Sequence, residues 1–61
     1  MSSYVTVIKD ENGKGWKVVA KVYDSSKKKY NKMECTPVAD RNTAVTEGRD
    51  MALNNKWQFI S

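Results

Sequence analysis

Apolar and polar residues alternate along the front of this chain, and the period changes behind them. Tyr4-Val5-Thr6-Val7-Ile8-Lys9 is dense in β-branched and aromatic residues, which favour a pleated strand. From Trp16 to Asp24 the period is two: Trp16, Val18, Ala20 and Val22 point one way, Lys17, Val19, Lys21 and Tyr23 the other. Between these runs lies Asp10-Glu11-Asn12-Gly13-Lys14-Gly15, and Asn-Gly is the strongest short hairpin signal. Centring the turn on Asn12-Gly13 sets Glu11 opposite Lys14, Lys9 opposite Trp16, Val7 opposite Val18 and Val5 opposite Ala20. Val5 and Val7 then share a face with Trp16, Val18, Ala20 and Val22, so turn chemistry and periodicity predict one register.

A second hairpin, centred on Ser26-Lys27, sets Tyr23 opposite Tyr30, Lys21 opposite Lys32, Val19 opposite Glu34 and Val18 opposite Cys35. Met33 and Cys35 are thereby expected on the apolar face, against the core. Thr36-Pro37 ends the strand, because proline has no N–H for a central ladder.

Behind Pro37 the period becomes helical. A helix is predicted over 43–54, with Asp40, Asn42 or Thr43 as N-cap. At 100° per residue Ala44, Val45, Gly48, Met51 and Ala52 share one side, and Leu53 falls off it. Gly48 costs roughly 1 kcal/mol of helix propensity relative to alanine, so close packing on a sheet is the reason for it. Trp57-Gln58-Phe59-Ile60 reads as a short last strand, parallel to the first through a right-handed crossover. The predicted fold class is α+β: a three-stranded antiparallel meander, one helix on one sheet face and a short C-terminal fourth strand, in the order 3-2-1-4. One small domain is expected over 1–61.

Composition changes this picture in two ways. Sixty-one residues, 39% hydrophobic, lie near the lower limit for an independent core, so stability is expected to be marginal without a partner or second copy. A net charge of +4 favours acidic partners. The charge is uneven: eight of the eleven basic residues lie between Lys9 and Lys32, whereas Arg41, Arg49 and Lys56 are offset by Glu34, Asp40, Glu47 and Asp50. Cys35 is the single cysteine, which excludes an intrachain disulfide and fits a reducing compartment. No apolar run has the length of a spanning helix, and the N-terminus lacks a signal-peptide pattern. A cytoplasmic protein is expected. Membrane binding is not, because the basic charge lies on strands rather than on an amphipathic helix.

Catalytic chemistry is sparse. There is no histidine, the carboxylates are dispersed, and no spacing suggests a metal cluster or a phosphate-binding glycine loop. Neither enzymatic activity nor a cofactor is expected. The outer sheet face is more suggestive. Lys21 and Lys32 sit opposite each other, a mildly destabilising pair that a bound anion relieves. Tyr23 and Tyr30 offer stacking surfaces beside them. Lys27, Lys28 and Lys29 sit at a hairpin tip that can reach a backbone phosphate. Lys17, Lys21, Tyr23, Lys27, Lys28, Lys29, Tyr30 and Lys32 are therefore the candidate nucleic-acid-binding residues, with DNA favoured over RNA. The plainer account has lysine stems covering apolar sheet surface, their heads in water, and edge lysines blocking aggregation. Ile8 and Val19 on the same face point instead to a flat protein partner or a second copy stacked on the sheet.

Two resemblances attach to these residues. The strand–turn–strand with Gly15-x-x-Val18 and the helix opening Thr43-Ala44-Val45-Thr46-Glu47 resemble the N-terminal three-stranded-sheet-plus-helix domain of many tyrosine integrases. In that family the outer sheet face enters the DNA major groove, so the resemblance implies Lys17, Lys21, Tyr23 and Lys32 as contact positions. Those domains usually end at the helix, whereas this chain continues into Trp57-Gln58-Phe59-Ile60. The stretch Ala44–Asn55 with the strand behind it is also similar to small uncharacterised bacterial and phage β-β-α-β proteins, which implies a fold and no activity.

Overall fold

A computed structural model describes residues 3–13 and 15–60. Strands β1 (Tyr4–Lys9), β2 (Trp16–Asp24) and β3 (Lys29–Glu34) form an antiparallel meander; helix α1 (Arg41–Asn55) and strand β4 (Gln58–Ile60) follow. The four-stranded sheet has the order β3-β2-β1-β4, with β4 parallel to β1. This is the α+β architecture expected from the hydrophobic pattern. The helix starts two residues earlier than the periodicity indicates, at Arg41, and β4 one residue later than expected, at Gln58.

Both hairpin registers follow the alternation. Val5 lies opposite Ala20, Val7 opposite Val18 and Lys9 opposite Trp16; Tyr23 lies opposite Tyr30, Lys21 opposite Lys32 and Val19 opposite Glu34. The turns differ in detail. In the first, the Gly13 N–H donates to the Asp10 carbonyl at 3.0 Å, so the chain reverses over Glu11 and Asn12 rather than over Asn12-Gly13. Gly13 then takes φ +72°, which glycine adopts at little cost. The expected Glu11–Lys14 pairing lies outside the described residues. The second turn is built on Asp24, whose carboxylate accepts the N–H groups of Ser26 at 3.0 Å and Lys27 at 3.3 Å.

Val5, Val18, Ala20, Ala44 and Ala52 form the buried core, with Val7, Trp16, Val22, Val38, Met51, Trp57 and Phe59 packed around it. Ala44, Gly48 and Ala52 are the buried residues of α1, the small-residue stripe read from the sequence. A Cβ placed on Gly48 would stand 2.8 Å from Cε1 of Phe59 and 3.5 Å from Cγ1 of Val5. The helix therefore lies too close to β1 and β4 for a larger residue. Lys56 closes α1 in the left-handed region at φ 58°. Its N–H donates to Leu53, and the Trp57 N–H to Ala52. Leu53 itself is 77% exposed.

Two sequence expectations need correction. Cys35 and Met33, expected against the core, are exposed, as is every residue of β3. The register is right, but α1 packs over β1, β2 and β4 and does not reach β3. Facing the helix side is thus not the same as being covered. Pro37, in turn, ends β3 without ending the pairing. Val38 returns to β2 as an isolated bridge, exchanging N–H···O=C bonds with Trp16, both 2.7 Å. That bridge explains Gly15, whose φ is +111° and whose Cβ, were there one, would lie 2.1 Å from the Val38 carbonyl oxygen.

Candidate functional site

The face of the sheet turned away from α1 carries one residue in two from each strand. Across β3, β2 and β1 the register sets Lys32 beside Lys21 and Lys21 beside Tyr4; one step along, Tyr30 stands beside Tyr23. The Tyr30 ring meets Tyr23 edge-on at 5.2 Å between centroids and Tyr4 at 6.2 Å, so all three tyrosines of the chain form one cluster. Tyr4 and Tyr30 belong to strands on either side of β2, so their rings meet above it. Edge-to-face contacts of this kind, here at interplanar angles of 64° and 65°, are favoured by the ring quadrupoles. Tyr23 is further held by its backbone, whose N–H donates to the Ser3 hydroxyl at 2.9 Å. Tyr4 joins the site although it is not among the residues expected to bind; its place opposite Lys21 follows from the β1–β2 register.

The lysines divide by their surroundings. Glu34 reaches two of them: its carboxylate accepts a hydrogen bond from Lys17, diagonally across β2, and pairs with Lys32 at 3.1 Å. The hydrogen bond from Lys17, then that from Lys32, holds the Glu34 carboxyl below the usual carboxylate range. The same bond to Glu34 raises the Lys17 ammonium above the usual lysine range. Lys21 lies outside this network, and among the described residues no carboxylate is within ion-pairing distance of it. Lys27 and Lys28 sit at the exposed hairpin tip, Lys28 in the left-handed region at φ 53°. Lys29 opens β3 opposite Asp24, in step with the inward series Val22 and Ala20, and so belongs to the helix side of the sheet.

The eight candidates are therefore not one surface. Lys21, Lys32, Tyr23 and Tyr30 are brought together; Lys17 is joined to them through Glu34; Lys27 and Lys28 extend past the end of the strands, and Lys29 turns to the other side. The apolar residues of the outer face separate as well. Val19 is only 3% exposed, because it lies between Thr6 and Glu34 with Lys17 and Lys21 as strand neighbours. Lysine stems and the Lys17–Glu34 pair close over it. Ile8 and Ile60, at the far corner, remain 38% and 44% exposed.

The arrangement sets positive charge beside aromatic surface, chemistry complementary to a flat anion. Both stand on an open sheet face, and among the described residues no pocket encloses either. Among the described residues no group of three or more histidine, cysteine or carboxylate side chains could hold a metal ion, and no helix is long and apolar enough to cross a membrane. Comparison of the chain with protein-family models, curated proteins and solved structures yields no match.

Proposed function

We propose that this chain is a non-enzymatic nucleic-acid-binding protein that uses the outer face of its sheet, with duplex DNA favoured over RNA. The observation that carries the reading is the position of Lys21, without a carboxylate partner among the described residues and between the Tyr4–Tyr23–Tyr30 cluster and Lys32. A lysine there meets a phosphate as a point charge. The tyrosine faces take sugar or base surface beside it. Lys27 and Lys28 reach the backbone beyond the strand ends. The resemblance to integrase DNA-binding domains supports the same face.

Ile8 and Ile60 favour a second reading, in which a protein partner covers the apolar corner of that face. Titration of labelled mixed-sequence duplex DNA and RNA at about 50 and 200 mM salt separates the two. Phosphate contacts release counterions, so binding is expected to weaken steeply between these concentrations. Absence of any salt-sensitive shift at micromolar protein overturns the nucleic-acid reading and leaves the protein partner.

A further inference from the structure

Strand β3 is an edge of the sheet, six residues long and exposed throughout. Its backbone hydrogen bonding alternates. The Cys35 N–H donates to the Val18 carbonyl at 3.0 Å, continuing the register in which Glu34 lies opposite Val19. In an antiparallel ladder this directs the N–H and C=O groups of Met33 toward β2, and those of Lys32 and Glu34 outward. Outward-facing donors and acceptors on an edge are a template for another strand.

Charge selects which strand. Lys32 and Glu34 lie on the same face, two residues apart, with Met33 between them on the other. A two-fold axis through Met33 sets Lys32 opposite Glu34 of a second copy, and Glu34 opposite Lys32 of that copy. Both of these pairs also exchange backbone hydrogen bonds. Moving the axis by one residue, to Lys32, would set like charges against each other, which is unfavourable. We propose that β3 pairs edge to edge with β3 of a second copy of this chain, antiparallel and centred on Met33.

The uncovered inner face of β3 fits this pairing. Met33 is 50% exposed because α1 stops short of it, and in the dimer it packs against its own counterpart. The opposite edge offers only the three residues of β4. An axis normal to the sheet keeps both helices on one side and both lysine–tyrosine clusters on the other, in a continuous sheet with four strands from each copy. One strand edge is a small interface, so the association is weak and reversible.

Sedimentation equilibrium of the protein alone, up to roughly 1 mM, tests the proposal, and a monomer–dimer equilibrium is expected. Lys32→Glu and Glu34→Lys each place like charges opposite one another at both symmetric positions, and each should weaken self-association about ten-fold. An equimolar mixture of the two should regain it, because the carboxylate now at 32 in one copy meets the ammonium now at 34 in the other. Circular dichroism checks that both variants fold. Met33→Lys, at a position already half exposed, should abolish the dimer by setting two ammonium groups on the axis. A native chain that stays monomeric throughout the range overturns the proposal. So does a dimer indifferent to all three substitutions, or a mixture no tighter than either variant alone. The measurement contains no nucleic acid, so it stands or fails apart from the reading above.

Discussion

At the scale of single residues, Glu34 changes most in moving from sequence to structure. Its place opposite Val19 was legible from the hairpin register, and a diagonal neighbour at Lys17 follows from that place. The alternation nevertheless ranks Lys17, Lys21 and Lys32 as equals, because it records which face a side chain takes and not which neighbour it bonds. In the fold, Glu34 draws Lys17 and Lys32 to itself and leaves Lys21 outside. This has a pH signature. The Glu34 carboxyl titrates lower in the folded chain than in the unfolded one, so its stabilisation is complete above the ordinary carboxylate range and is lost as pH falls through the folded value. Lys17 is shifted upward, so its contribution is complete below the ordinary lysine range and disappears only as pH rises beyond its folded value. Both shifts describe one pair, which therefore operates between these limits. Urea unfolding of the native chain and of Glu34→Gln, followed by tryptophan fluorescence, should show a higher native midpoint near about pH 7 and no difference near about pH 2. A difference of equal size at both pH values would remove the ion pair as its cause.

Elements were more legible than contacts between them. Turn chemistry and period two agree on the first register, the alternation alone carries the second, and the small residues Ala44, Gly48 and Ala52 announce the buried side of α1. What the pattern does not contain is the reach of a helix across a sheet. The alternation assigns Met33 and Cys35 to the helix side, but α1 covers only β1, β2 and β4, and both residues stay exposed. Nor does it contain the Val38 bridge, which arises because the chain passes back beside Trp16 on its way to the helix. Gly48 tests how firmly α1 is seated. Alanine there gains about 1 kcal/mol of helix propensity. Its methyl group, however, would stand 2.8 Å from the Phe59 ring, and overpacking of this kind costs about 1–3 kcal/mol. Gly48→Ala should therefore lower the unfolding free energy by about 1 kcal/mol, read from the urea midpoint. Stabilisation by the whole helix-propensity term would mean that the helix sits farther from β4.

For the molecule as a whole, the question is how many of its charges a polyanion meets. Composition and strand pattern alone would enlist six lysines: Lys17, Lys21, Lys27, Lys28, Lys29 and Lys32. The fold reduces that number. The single Glu34 carboxylate offsets one of the two ammonium groups it meets, foremost that of Lys17, and Lys29 lies on the helix side, which leaves Lys21, Lys27, Lys28 and Lys32 without full compensation among the described residues. For duplex DNA the slope of log K against log salt is about −0.9 per phosphate neutralised. Four contacts predict a slope of about −3.6, whereas six would give about −5.4. Single substitutions resolve the members. Lys21→Gln should flatten the slope by about one unit. Lys17→Gln should leave it unchanged, because that ammonium is already spent on Glu34. Fluorescence anisotropy over a series of salt concentrations measures all three slopes. A steep native slope that Lys17→Gln and Lys21→Gln reduce equally would mean that DNA competes Lys17 away from Glu34, making the contact surface the whole outer face rather than its tyrosine end.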